Sequence, residues 1–277
     1  MYGYHETSKV SFFHQEREKP LNGIVVLSDL DDMAVEGTLN VGLTQLLLSL
    51  DLPTDEFISL APYYYRIGDW PGWLKYGVNG KTAAEMLGDF YTKVGIHPQF
   101  EVDKEVARQY QILYNLGACF VYHSSRGGKT PEISLTIHEE TTKTVLHQGL
   151  PRGPVFTSGR MRAVTNNNSP SDQWKLQNAD DLRIIFNKRV VVADDKFSVC
   201  VGAATNGHLV FMRAHAHNNP QLFTLPEGWK IQGEYLYVPG NVIVSNDMRT
   251  IARSIRNLCQ NSCKHSEPRR IPLSLWN

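Results

Sequence analysis

Residues 24 to 32 read Ile-Val-Val-Leu-Ser-Asp-Leu-Asp-Asp, an apolar run as long as a buried strand that ends abruptly in Asp29, Asp31 and Asp32. Carboxylates do not end a core strand for the sake of packing, because an unpaired charge is costly to bury. An apolar segment bounded by polar residues is the pattern of a parallel strand covered on both faces. In open α/β sheets, ligands bind just beyond the carboxyl ends of such strands. Two aspartates two residues apart at that place can divide the labour of phosphoryl transfer. The first, ionised, attacks phosphorus with help from a divalent cation that offsets its repulsion from the phosphate. The second carries a proton to the leaving oxygen and later takes one from water. Helix capping or a structural Ca²⁺ site would also use acidic residues here, but capping needs only one of them.

The chain repeats this pattern downstream. Gly117 to Tyr122 is a second short apolar run, ending in His123-Ser124-Ser125-Arg126. Pro154 to Thr157 is a third, and Arg189 to Ala193 is a fourth that ends in Asp194-Asp195. Helical spacing fills the intervals, over Val106 to Leu116 and over Pro131 to about Gln148, where Pro suits the first turn and Gly149 the stop. Trp174 to Asn187 follows, with Leu182, Ile185 and Phe186 on one face. Strands alternating with helices predict an α/β fold with a doubly wound, mainly parallel sheet. Further on, a strand is expected over His208 to Arg213 and a closing helix over Met248 to Cys259. Tyr235–Val238 and Val242–Val244 read as a hairpin around Pro239-Gly240-Asn241. The first twenty residues read as an irregular arm, and the basic stretch Lys264 to Arg270 as a frayed end.

Between Gly37 and Glu105 the character changes. Leu39 to Leu50 is an apolar helix-like stretch, and Thr82 to Val94 places Ala83, Met86, Leu87, Phe90 and Val94 at amphipathic spacings. Between them lie Tyr63, Tyr64, Tyr65, Trp70 and Trp73, punctuated by Pro and Gly. These aromatics form either the small core of a helical insertion or the entrance to a site.

Composition excludes some functions. Lys plus Arg equals Asp plus Glu at 28 each, so no global basic field draws the chain to nucleic acid. No stretch reaches the roughly 20 apolar residues that span a bilayer, and the first residues lack the apolar run of a secretory signal. Cys119, Cys200, Cys259 and Cys263 are too scattered for a disulfide framework, and Cys259 and Cys263 with His215 and His217 match no usual zinc spacing. The expectation is a cytoplasmic protein with reduced thiols, in which His215 and His217 are loop or surface residues.

Asp29-Leu30-Asp31 after a first strand, Ser124 after a second, Lys175, and Asp194-Asp195 after a fourth follow one another in a specific order. In that order the chain resembles the haloacid dehalogenase-like (HAD) phosphohydrolases. A narrower similarity is to the phosphatidate phosphatase catalytic domain of the actin-patch-associated type. It is carried by Ser28-Asp29-Leu30-Asp31-Asp32, Tyr122-His123-Ser124, Pro151-Arg152-Gly153, and Lys175 with Phe186 eleven residues on. The chain departs from that type at Met33, which replaces Thr, and at Ala193-Asp194-Asp195-Lys196-Phe197, which replaces Gly-Asp-Ser-Gly-Glu. Substrate identity therefore does not carry over.

The resemblance implies a HAD-like catalytic core over 1–36 and 106–277, with a mainly helical cap inserted over 37–105. It implies a Mg²⁺-dependent phosphatase in which Asp29 is the nucleophile that becomes an aspartyl-phosphate and Asp31 is the general acid and base. Ser124 would hydrogen-bond the phosphoryl group, and Lys175 would hold phosphate and nucleophile together, with Arg160, Arg162 and Lys188 as alternatives. Asp29, Asp31 through its backbone carbonyl, Asp194 and Asp195 would bind the Mg²⁺, an ion suited to hard oxygen ligands. Its partner is a phosphorylated substrate, whether lipid, nucleotide, sugar phosphate or phosphoprotein; no nucleic acid and no transmembrane segment is expected. Two other functions stay open. A nucleotide-sugar transferase also binds metal through Asp-x-Asp, but usually places a nucleotide-binding half before that motif, where this chain has 28 residues. A degenerate HAD-like binding module would explain the altered last motif but not the retention of both Asp29 and Asp31.

Overall fold

The computed structural model describes residues 19–165, 171–260 and 267–276. Its strands are β1 (Ile24–Asp29), β2 (Val35–Glu36), β3 (Glu101–Val102), β4 (Cys119–Ser124), β5 (Val155–Thr157) and β6 (Arg189–Asp194). They continue with β7 (Leu209–Arg213), β8 (Lys230–Gln232), β9 (Tyr235–Val238), β10 (Val242–Ser245) and β11 (Arg269–Pro272). Six of them form one parallel sheet in the order β10-β7-β6-β1-β4-β5, so the first strand lies inside it. This is the doubly wound α/β sheet expected of the alternating runs.

All six residues of β1 are buried, and the two faces of the sheet account for its unbroken apolar sequence. Ile24 and Val26 face one layer, where they join Val106, Tyr110 and Leu113 of helix Lys104–Asn115 and Ile251 and Ile255 of helix Met248–Gln260. Val25 and Leu27 face the other, with Ala179 and Leu182 of helix Ser171–Phe186 and Cys200 and Ala203 of helix Phe197–Thr205. A strand covered on both sides must be apolar at successive positions rather than alternate ones. Helix Pro131–His147 begins at its proline, with the Thr130 hydroxyl accepting from the Ile133 N–H at 3.4 Å.

The insertion leaves and rejoins the sheet layer through a two-stranded antiparallel ribbon, in which Val35 pairs with Val102 and Glu36 with Glu101. Between these strands lie helices Thr38–Ser49, Phe57–Leu60, Trp73–Tyr76 and Gly80–Tyr91 and the 3₁₀ segment Ala61–Asp69. Gly37 turns the chain into the first of these at φ +81°, a conformation open to glycine without the strain a side chain adds. The segment has its own apolar core, in which Leu43, Leu47, Leu60 and Leu87 surround Trp70 and Trp73. Those two indoles meet edge to face at 4.7 Å. The aromatics thus divide: Trp70 and Trp73 are core, whereas Tyr64 and Tyr65 border a cavity.

Two expectations fail in the carboxyl-terminal part. Tyr235–Val238 and Val242–Ser245 do not pair as a hairpin. The second, buried at every residue, enters the main sheet parallel to β7, whereas the first alternates half-buried and buried and pairs antiparallel with β8 and β11. The Pro-Gly-Asn turn is real, with Val242 N–H donating to the Pro239 carbonyl at 3.0 Å, but it redirects the chain between sheets. The basic end is not frayed over its described part: Arg269–Pro272 is a strand, Ile271 packs on the second core face, and the Arg270 guanidinium lies 3.4 Å from the Tyr235 ring centroid. Most of the irregular arm, with 264–266, lies outside the described residues. Among the described residues no helix is long and apolar enough to cross a membrane.

Candidate active site

Parallel register brings the polar ends of three strands together. Asp29 of β1 pairs across to His123 of β4, and Ser28 pairs with Ala193 on the other side, which leaves Asp194 next in line. One ligand atom each from Asp29, His123 and Asp194 lies within 4.8 Å of the others. Lys175, near the start of helix Ser171–Phe186, reaches this row from the second face. Its Nζ lies 2.8 Å from Asp29 Oδ2 and 2.9 Å from Asp194 Oδ2, and all three residues are buried. Burial works against the ammonium, but Asp194 and Asp29 hold its pKa above the usual lysine value. Burial also opposes charge on Asp194, yet Lys175 and then His123 hold that carboxyl well below the usual range. Of the alternative cations, Arg160 contacts His138 Nε2 at 3.1 Å and Lys188 donates to the Asn22 carbonyl at 2.8 Å before the start of β1. The side chain of Arg162 lies outside the described residues.

Asp31, just past the strand, is held by Arg126. Nη2 donates to Oδ1 at 2.7 Å and Nε to the same oxygen at 3.0 Å, while the Ser124 hydroxyl donates to Oδ2 at 2.9 Å. Burial alone would raise the Asp31 pKa, but the Arg126 charge and hydrogen bonds lower it overall. Ser124 Oγ in turn accepts from the Arg126 backbone N–H at 3.1 Å, so the loop after β4 is tied to its own side chain. Arg126 is a candidate functional residue that local sequence does not assign. Its signal was its place two residues past Ser124, at the polar end of an apolar run.

Asp195 is completely buried, and its Oδ2 accepts from the Tyr65 hydroxyl at 2.9 Å and from His217 Nε2 at 2.7 Å. His217 is therefore no surface residue: it is 1% exposed, with the rings of Tyr64, Tyr65 and His215 around it. His215 Nε2 donates to the Asp32 carbonyl at 2.8 Å, and burial, with the neighbouring His217, pushes its pKa down to about 4. The insertion folds over these histidines, a contact local sequence cannot announce. Burial, followed by the nearby Asp195, raises the Tyr65 phenol well above its usual value and keeps the hydroxyl a donor.

This arrangement suits a divalent cation. Asp29 Oδ1 and Asp195 Oδ1 are buried with no hydrogen-bond partner among the described residues. Burial, opposed by Lys175 and reinforced by Asp194 and Asp195, raises the Asp29 pKa well above the carboxylate range. A buried group of like charges that one lysine cannot neutralise gains from a bound cation, and carboxylate oxygens are the donors Mg²⁺ prefers. With its side chain engaged by Arg126 and Ser124, Asp31 has its main-chain carbonyl left to offer.

Above these groups lies a cavity of about 330 Å³. Asp29, Asp31, Arg126 and Lys175 line its floor, and Tyr64 and Tyr91 of the insertion line its other side. His97, 1% exposed, also borders it, with Nδ1 unpartnered among the described residues and with burial, then Arg126, pushing its pKa down to about 4.

No family model and no curated protein matches the sequence. Among solved structures, a phosphonoacetaldehyde hydrolase-like protein from Oleispira antarctica is 11% identical, over 87% of this chain and 95% of that one, with a TM-score of 0.49. A HAD-superfamily hydrolase from Ehrlichia chaffeensis is 12% identical over 88% and 99%, with a TM-score of 0.47. A HAD-family hydrolase from Deinococcus radiodurans, with bound phosphate and sodium, is 15% identical over 70% and 81%, also with a TM-score of 0.47. At such identities none of these likenesses transfers a substrate or a mechanism to this chain.

Proposed function

We propose that this protein is a Mg²⁺-dependent phosphatase of the HAD-like type that hydrolyses phosphomonoesters through an aspartyl-phosphate. The observation that carries this reading is Asp29: a buried carboxylate at the end of an interior strand, one oxygen 2.8 Å from Lys175 and the other without a partner among the described residues. An aspartate placed for packing alone has no use for either feature.

Asp29 attacks phosphorus, the ester P–O bond breaks, and Asp31 gives its proton to the departing oxygen. Water then attacks the phosphorus of the aspartyl-phosphate and Asp31 takes the proton of that water, which releases inorganic phosphate and restores Asp29. When bound, the cation supplies charge that offsets repulsion between nucleophile and phosphate, with Asp29, Asp194 and Asp195 holding it. Lys175 keeps Asp29 and Asp194 in register and adds positive charge where negative charge gathers on the phosphoryl oxygens. Arg126 holds Asp31 ionised, the state of a base. For Asp31 to give a proton, the guanidinium must turn from it to the incoming phosphoryl oxygens, a shift within one cavity.

The insertion over 37–105 acts as a cap in this reading, supported by Tyr64 and Tyr91 lining the same cavity as Asp29. Closure would exclude water from the transfer step. The test is phosphate release from lipid, nucleotide, sugar and aryl phosphates and phosphopeptides, with Mg²⁺ and with chelator. Mg²⁺-dependent release that Asp29→Asn abolishes is the expected result. Release that survives the substitution would remove the reading.

A further inference from the structure

The insertion reaches the last acidic pair at Asp195. Asp195 Oδ2 takes hydrogen bonds from Tyr65 at 2.9 Å and His217 at 2.7 Å, while Oδ1 of the same carboxylate stays buried without a partner among the described residues. Tyr65 belongs to the 3₁₀ segment Ala61–Asp69 of the insertion, and His217 to a short turn after β7. Their rings meet edge to face at 5.0 Å, and the Lys196 ammonium sits 5.2 Å from the Tyr65 centroid on another side. The main chain of Asp195 is held separately. Asn218 Nδ2 donates to its carbonyl at 2.5 Å, and Trp276 Nε1 anchors Asn218 Oδ1 at 2.7 Å. The core thus fixes where Asp195 stands, and two donors fix how its carboxylate is turned. One of those donors comes from the insertion.

We propose that Tyr65 is a positioning residue through which the seated cap completes the cation site, holding Asp195 so that Oδ1 is presented to the ion. This rests on the phosphatase reading in one respect, that Asp195 helps to bind a divalent cation. Groups that orient a metal-binding side chain from behind commonly change affinity 10- to 100-fold when removed. The coupling must also run in reverse. If the Tyr65 contact raises cation affinity by a given factor, the cation strengthens that contact by the same factor, and cation binding draws the cap down.

Tyr65→Phe keeps the ring, with its packing on His217, and removes only the hydroxyl. Binding of Mn²⁺ to the full chain, followed by electron paramagnetic resonance without substrate, should weaken about 10- to 100-fold in this variant. Hydrogen exchange of backbone amides over 57–78 should slow on adding Mn²⁺ to the parent, and this slowing should vanish in Tyr65→Phe. His217→Gln keeps a donor on the core side, so its cap amides should still respond to the ion. Equal affinity and equal cation-dependent protection in parent and Tyr65→Phe would overturn the inference and leave the phosphatase reading standing. A Tyr65→Phe protein already unstable before any ion is added would assign the hydroxyl to folding and overturn it as well. A parent that binds no Mn²⁺ and releases no phosphate would overturn the phosphatase reading, and this inference with it.

Discussion

Lys175 is the residue on which the buried charges depend. Its ammonium separates Asp29 from Asp194, so Lys175→Met leaves two buried carboxylates without a counter-charge. Breaking a buried pair in this way costs about 3–5 kcal/mol, and urea unfolding of the chelated protein should show a loss of that size. Added Mg²⁺ should recover part of it; an unchanged midpoint in chelator would mean that the lysine does not neutralise the cluster. Asp31→Asn should slow turnover by about 10²–10⁴-fold, less for esters with good leaving groups. Arg126 sets the pH at which Asp31 can act as an acid. Because the guanidinium lowers the Asp31 pKa in the free enzyme, Arg126→Gln should raise it and move the alkaline limb of the kcat/KM profile upward. A limb that stays in place would separate Arg126 from proton transfer. At this scale Asp29, Asp31, Ser124, Asp194 and Asp195 could be singled out because each lies at the polar end of an apolar run that had to be explained, whereas Lys175 followed only from the order of motifs in the family the chain resembles. Tyr65 could not be, since its partner Asp195 is 130 residues away and only the folded insertion joins them.

Among the elements, the insertion separates two kinds of aromatic residue that look alike in sequence. Trp70 is 5% exposed and packs on Trp73, so Trp70→Ala should open a cavity and cost about 3–5 kcal/mol, seen as a lowered unfolding midpoint. Tyr64 lines the cavity instead, and Tyr64→Ala should reduce turnover of a bulky phosphate ester far more than that of a small aryl phosphate. Similar losses on both substrates would place the ring outside the binding site. Strands β1, β4 and β6 were readable because burial on two faces forces uninterrupted apolar runs. The partner of Val242–Ser245 was not, because a Pro-Gly-Asn turn looks the same whether the chain folds back on itself or crosses to another sheet. A basic composition likewise concealed β11, whose single buried side chain, Ile271, gives too short a pattern to read.

Across the whole molecule, acid should act through buried histidines. Burial pushes His97, His123 and His215 down to about 4, whereas an unfolded histidine titrates near 6.5. Between those values the unfolded chain takes up protons that the native one refuses, so stability falls as pH falls, by about 1.4 kcal/mol per unit for each histidine. Asp29 and Asp32 have raised pKa values and work in the opposite direction, since the native state takes their protons first. Mg²⁺ competes with the proton on Asp29, so urea midpoints between pH 7 and 4 should fall more steeply with Mg²⁺ than with chelator. Parallel curves would show that the ion and the proton do not share that carboxylate. The ribbon at the base of the insertion has a separate consequence. Because Val35 and Val102 are paired neighbours, everything between them begins and ends at one point, like a bead tied to a ring by a single knot. The sheet can therefore acquire a different cover by recombination at that knot, with its own strand order undisturbed. Any replacement inherits one geometric duty, to bring a hydroxyl or another donor back to Asp195.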